Sequence, residues 1–285
     1  MIIVVTGATG HLGRLVVLVL LARGVPAADI VAAGRDIDRL ADFAARGVTV
    51  RHADYDDPAV LSVAFAGADK VLLVSASEPG RRVEQHGNVV DAARKAGVEL
   101  LAYTSAPRAD HTRLKLAADH AATETYIQRS GLPFVFLRNS WYIENYTGRL
   151  ATQLRNGEVL GAAGDGRVSA ATRRDFAEAA AAVLVSPGQS GKVYELGGDE
   201  AFTLAEYAAE VSRQSGRPVA YRDLGMDGYT RTLIESGLPR PVAEIVADSD
   251  AAIARGELFT DSGDLHRLID RPTTPLSAAV AAALA

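Results

Sequence analysis

With 285 residues the chain is long enough for one large α/β domain, alone or with a small appended lobe, and its core needs no covalent staples. A formal net charge of -5 and a pI near 5.7 argue against nucleic acid or an anionic membrane as a partner, and no basic stripe offsets that balance. Cysteine is absent, which excludes disulfides, thiolate nucleophiles, thiolate zinc sites and cysteine-ligated iron-sulfur clusters; redox chemistry would need an organic cofactor.

The first half alternates strand and helix. Residues 2–6 are a β-branched run, 11–23 read as helix, 30–34 as a second strand and 36–45 as a second helix. The apolar stretch at 15–22 is too short to span a bilayer and follows a strand and glycine turn instead of a basic leader, so the expected compartment is the cytoplasm. Further strands are expected at 48–51, 71–75, 100–104 and 134–137, with helices at 59–65, 83–96 and 114–129. Such alternation predicts a Rossmann-type doubly wound parallel sheet.

Beyond Asn139 the rhythm loosens, with helices expected near 174–185, 204–215 and 242–254 and a strand near 193–196. Thr203 followed by Glu206 has capping-box spacing. The expected division is a dinucleotide-binding domain over 1–138 and, over most of 139–285, a smaller substrate-binding lobe whose segments can return to the main sheet. A homodimer is compatible with the sequence.

Gly7, Ala8, Thr9, Gly10, His11, Leu12 and Gly13 lie where a buried strand gives way to a helix. A turn without side chains lets the backbone approach a pyrophosphate, which then meets free N–H groups and the positive end of the helix dipole. The alternative is a structural glycine turn that binds nothing. Which nucleotide binds depends on the end of the second strand, where an acidic residue favours NAD and a basic one the 2′-phosphate of NADP. Arg35 stands there, with Arg39 one helical turn on, so NADP is favoured; Asp36 and Asp38 between them keep NAD open. Asp54 and Tyr55 end the third strand, where such sheets meet adenine, although Asp54 equally suits a turn. Ser75, Ala76 and Ser77 end the fourth, where small residues let backbone run beside the ribose and diphosphate.

Many short-chain reductases protonate a carbonyl with a Tyr-x-x-x-Lys pair. The residues four positions before Lys70, Lys95, Lys115 and Lys192 are Ala66, Asp91, His111 and Gly188, so that pair is absent. The motifs Val5-Thr6-Gly7-Ala8-Thr9-Gly10, Tyr103-Thr104-Ser105, Leu137-Arg138-Asn139 with Trp141-Tyr142, Gly161-Ala162-Ala163-Gly164-Asp165-Gly166 and Val193-Tyr194-Glu195-Leu196 together resemble the NmrA-like atypical short-chain dehydrogenase/reductases. Within that class the chain is most similar to type-2 NAD(P)H:quinone oxidoreductases, with triarylmethane dye reductases near. The resemblance implies an NADPH-dependent reductase, free of flavin and metal, that passes hydride directly to a quinone or a similar flat acceptor. It also supports the glycine turn, Arg35, the 75–77 segment and the 139–142 loop as cofactor contacts. Members commonly carry lysine near Arg39, so the phosphate contact can differ in detail. A quinone or a cationic dye does not strictly need a tuned proton donor, which agrees with the missing pair.

Around the nicotinamide, Asn139 and Ser140 are candidates for cofactor contact, Asn139 through the carboxamide, and Trp141, Tyr142 and Tyr146 could line the acceptor pocket. Tyr103 and Thr104 put hydroxyls near the same sheet edge, with Tyr103 a catalytic candidate and Thr104 a cofactor contact. His120 could relay a proton; the competing reading is a surface histidine paired with Glu124, one turn away. Rival functions are an NADP-binding redox sensor without turnover and reduction of a dye, isoflavonoid or aldehyde. Sugar-nucleotide epimerisation is disfavoured by the missing tyrosine-lysine pair.

Overall fold

The computed structural model describes every residue except Ser77 and Pro79. Its elements in chain order begin with β1 (Ile3–Val5), α1 (His11–Ala22), β2 (Ile30–Gly34), α2 (Ala41–Ala44), β3 (Thr49–His52), α3 (Pro58–Ala64) and β4 (Lys70–Leu73). They continue with α4 (Arg82–Ala96), β5 (Leu100–Ser105), α5 (Lys115–Ser130), β6 (Phe134–Asn139), α6 (Glu144–Thr147), α7 (Leu150–Asn156), β7 (Glu158–Gly161) and α8 (Arg173–Val185). The remainder comprises β8 (Lys192–Leu196), α9 (Leu204–Ser215), β9 (Ala220–Asp223), α10 (Gly225–Glu235), α11 (Arg240–Ala254), α12 (Asp264–Ile269) and α13 (Leu276–Leu284).

Seven strands form one sheet in the order β3-β2-β1-β4-β5-β6-β8, with parallel register from β3 through β6. This is the doubly wound α/β fold expected from the alternation. β1 and β2 are buried along their whole length, as strands covered by helices on both faces must be. Strand order reverses between β1 and β4, and sheets of this kind bind ligands outside the strand ends at that reversal.

Two compact units emerge. The first comprises residues 1–106, 119–138 and 173–194 and contains most of the seven-stranded sheet. Its core sets Phe65, Tyr103, Phe136 and Ile127 among the valines and leucines of β1, β4 and β5. The second comprises residues 107–118, 139–172 and 195–285. It holds a two-stranded parallel sheet of β7 and β9 and the α10–α11 hairpin, closed by Tyr229, Leu233, Ala243 and Ala247. The capping box at α9 is present: Thr203 Oγ1 accepts from the Glu206 amide, and Glu206 Oε2 from the Thr203 amide.

Residues 36–45 depart from the expected single helix, forming a 3-10 turn over Ile37–Leu40 and only one α-helical turn, α2. No side chain caps either start, which limits how far so short a helix extends. Among the described residues no helix is long and apolar enough to cross a membrane.

Candidate functional site

The glycine turn after β1 is shaped by steric demand. Gly7 has φ of +60°, a conformation that a side chain disfavours. Gly13 faces it across the turn, and a Cβ on Gly13 would stand 2.4 Å from the Gly7 carbonyl oxygen. The Gly10 amide donates to that oxygen at 2.9 Å, and the Ala8 amide to Ala33 on β2 at 3.0 Å. The first turn of α1 presents amides without intrahelical partners, no side chain caps it, and it carries no acidic residue. The positive end of the α1 dipole is therefore uncompensated at a turn where Gly7, Gly10 and Gly13 leave the backbone bare, a fit for a diphosphate.

Arg35 directly follows β2 and is exposed; its Nη1 donates to Glu78 Oε1 at 2.8 Å. Arg39 is exposed on the 3-10 turn, and its carbonyl accepts from Arg14 Nη1 at 3.2 Å. Arg14 also pairs with Asp42 and lies over the Phe43 ring at 4.6 Å, so α1 fixes the segment that carries Arg39. Asp54 takes the turn role: its Oδ1 accepts from the Asp56 amide at 3.0 Å. The Tyr55 hydroxyl donates to the Val74 carbonyl at 2.9 Å and contacts Thr6 Oγ1, tying the ends of β1, β3 and β4. Burial raises the Tyr55 pKa and keeps the phenol neutral.

The segment after β4 is clamped by side chains. The Ser75 amide donates to Thr104 Oγ1 at 2.9 Å, the Ala76 amide to His86 Nε2 at 2.9 Å, and Arg82 Nε to the Ala76 carbonyl at 2.9 Å. Because Nε2 of His86 accepts, its proton sits on Nδ1, which donates to Thr123 Oγ1 at 3.0 Å, and Thr123 donates onward to the Asp119 carbonyl. Burial, reinforced by Arg82, pushes the His86 pKa down to about 3, so this ring is uncharged at neutral pH. Arg82 is itself buried and paired with Asp119 at 3.0 Å. The expected contact Ser77 lies outside the described residues.

Tyr103 and His120 are brought together: the phenol oxygen lies 2.7 Å from His120 Nδ1. Both are buried, and burial raises the tyrosine pKa and drives that of the histidine well below its ordinary value, with Arg82 and His86 adding to the latter. They form a neutral phenol–imidazole pair. The surface reading of His120 is therefore corrected. His120 is 5% exposed, and Glu124 turns instead to Arg138, which it binds through both oxygens at 3.0 and 2.6 Å, and to the Ser105 hydroxyl at 2.6 Å. The one-turn spacing does put both residues on one face of α5, but that face is buried.

Asn139 closes β6 with its side-chain Oδ1 buried and without a hydrogen-bond partner. The Ser140 hydroxyl is committed to the Leu258 carbonyl at 3.1 Å. Trp141 and Tyr142 are half-buried. Tyr146 is buried beside Tyr207 and Phe202, its hydroxyl unpartnered. Among the described residues no group of three or more side chains could hold a metal ion.

Residues 7–187 match the family described as NAD(P)H-binding. The chain is 47% identical to Quinone oxidoreductase 2 of Escherichia coli (strain K12) over 98% of its own length and 97% of that protein's. It belongs to this NAD(P)H-binding family. Its fold superposes on the crystal structure of the NADPH-dependent quinone oxidoreductase from Escherichia coli complexed with NADPH at a TM-score of 0.96, with 46% identity and both chains covered in full. The triphenylmethane reductase of Citrobacter sp. complexed with NADP(H) gives a TM-score of 0.93 and 39% identity, with 99% of each chain covered. The resemblance to quinone and dye reductases is borne out.

Sequence reasoning missed His86, Arg82, Arg14 and Glu78. The first two sit on α4 in a polar stretch with Arg81, Glu84, Gln85 and Asn88, and only their contacts with Ala76 distinguish them from ordinary helix residues. A buried arginine or histidine leaves no periodic signal in the sequence.

Proposed function

We propose that this chain is a flavin-free, NADPH-preferring reductase that passes hydride directly to a quinone or a similar flat acceptor. One observation carries the reading: 47% identity to Quinone oxidoreductase 2 across almost the whole of both chains. The residues present fit NADPH, since Gly13 lets α1 pack against the turn, where a Cβ would stand 2.4 Å from the Gly7 oxygen, and two exposed arginines follow β2. When bound, NADPH supplies the hydride that, with one proton from solvent, turns a quinone into a hydroquinone.

In this reading the turn from Gly7 to Gly13 receives the diphosphate on its free amides, and Arg35 and Arg39 receive the 2′-phosphate. Asp54 and Tyr55 face the adenine, and Ser75 and Ala76, held in place by Thr104, His86 and Arg82, run beside the ribose and diphosphate. Asn139 offers its unpartnered oxygen to the carboxamide, and Ser140 holds the loop that follows. His120, kept uncharged by burial and held by Tyr103, serves as a neutral hydrogen-bond donor or proton relay for the reduced acceptor. Trp141 and Tyr142 offer aromatic faces to a flat acceptor. The lobe built on most of residues 139–285, with 173–194 returning to the first unit, is the acceptor-binding part, acting in the cytoplasm.

Steady-state oxidation of NADPH over a panel of small quinones, triarylmethane dyes and ketones tests the reading. Quinones and dyes should be reduced and simple ketones not. Tight NADPH binding with no turnover on any acceptor would leave a redox sensor instead.

A further inference from the structure

Strand order sets the end of β1, with its glycine turn, between the ends of β2 and β4. Two charged side chains beyond those flanking ends meet. Arg35 directly follows β2, Glu78 follows β4 by five residues, and their Nη1–Oε1 distance is 2.8 Å. Their pairing is built into a larger network. Glu78 Oε2 accepts from Gln85 Nε2 at 3.1 Å, and the same amide reaches both oxygens of Asp56 at 3.3 Å. Gln85 is 3% exposed, so its amide hydrogens are fixed toward the two carboxylates. Arg81 pairs with Asp56 at 2.7 Å and lies 3.9 Å from Glu78. The Arg35 side chain, by contrast, is 63% exposed and free to exchange partners.

We propose that Glu78 is a specificity-determining residue: it holds Arg35 in the free protein, and the 2′-phosphate of NADPH must take Arg35 from it. This rests on the reading that Arg35 binds that phosphate. A phosphate dianion presents more charge and more acceptor oxygens to a guanidinium than a carboxylate does, so the exchange runs toward the cofactor. It does so at a discount, because the Arg35–Glu78 pair is lost. NADH lacks the phosphate and leaves the pair intact. Glu78 therefore narrows the preference for NADPH over NADH.

The test is calorimetric titration of NADPH, NADH, and the adenosine fragment of NADP with and without its 2′-phosphate. The proteins are wild type, Glu78→Gln, Arg35→Ala and the double variant. Glu78→Gln should bind the phosphorylated ligands about two- to fivefold more tightly, the range of a partly exposed ion pair, and the unphosphorylated ones unchanged. In the Arg35→Ala background the same substitution should give no gain. A Glu78→Gln protein that binds NADPH no better, while Arg35→Ala selectively weakens the phosphorylated ligands, overturns the role of Glu78 alone. Equal weakening of all four ligands by Arg35→Ala overturns the phosphate reading on which that role depends.

Discussion

Gly13→Ala is the substitution that bears hardest on the glycine turn. The added Cβ would stand 2.4 Å from the Gly7 oxygen, 2.7 Å from the Gly7 carbonyl carbon and 3.0 Å from the Ala8 Cα, all backbone atoms. Ordinary contact requires roughly 1 Å more. The opposing wall cannot yield cheaply: the Thr6 amide is bound to Leu72, the Ala8 amide to Ala33, and the Gly7 oxygen to the Gly10 amide. Overpacking of this kind costs about 1–3 kcal/mol. Alanine's better helix propensity returns up to about 1 kcal/mol, and a fold stable by roughly 5–15 kcal/mol survives the remainder. The strain is relieved where the turn opens, in the cradle itself, so affinity should fall further than stability. At Gly10 a Cβ meets only the Gly7 oxygen, at 3.3 Å, and Gly10→Ala serves as the milder control. Titration of NADPH by fluorescence, with thermal melts alongside, should show a loss of tenfold or more for Gly13→Ala, a smaller loss for Gly10→Ala, and folded protein in both. Gly13→Ala binding NADPH within twofold of wild type would refute the reasoning.

Changing Arg35 and Arg39 together to Ala should weaken NADPH much more than NADH in equilibrium titration, because only the former loses a charge-assisted phosphate contact; equal weakening would contradict the assignment. His86→Gln can still accept from the Ala76 amide whereas His86→Phe cannot, leaving a backbone donor unpaired at a cost of about 1–3 kcal/mol. NADPH affinity should therefore be largely retained in the first and lost in the second, and similar affinities in the two would show that the clamp is dispensable. Asp250 is buried, and its carboxyl accepts from the Ala162 amide while burial lifts its pKa from 3.8 to about 7. A raised folded-state pKa means stability that is fully present below pH 3.8 and lost as pH rises through 7, on the order of 4 kcal/mol across that window. Asp250→Asn should flatten the fall in melting temperature between pH 5 and 8; an unchanged slope would place the titration elsewhere.

Much of the fold was legible because β1, β2 and β5 are buried along their length and read as continuous apolar runs, while Thr203 and Glu206 mark the start of α9 in any context. The β7–β9 pair was not. Glu158-Val159-Leu160-Gly161 and Ala220-Tyr221-Arg222-Asp223 are four residues each, mixed in polarity, and acquire strand character only by pairing across more than fifty residues. The same distinction runs through the site. Gly7 and Gly13 announce themselves because no other residue fits their positions, but the direction of His120 is set by the packing of α5, and the match of His86 to the Ala76 amide is tertiary. Local rules could place His120 beside Glu124; they could not say that Arg138 would claim Glu124.

Direct hydride transfer without flavin can be followed in a single-turnover reaction of the purified protein with NADPH deuterated at the transferred position and a small quinone, under anaerobic conditions and without added flavin. One equivalent of NADPH should be oxidised per equivalent of hydroquinone formed, with a primary isotope effect on that step. Oxidation that appears only when flavin is supplied, or NADPH that stays bound and reduced, would contradict it.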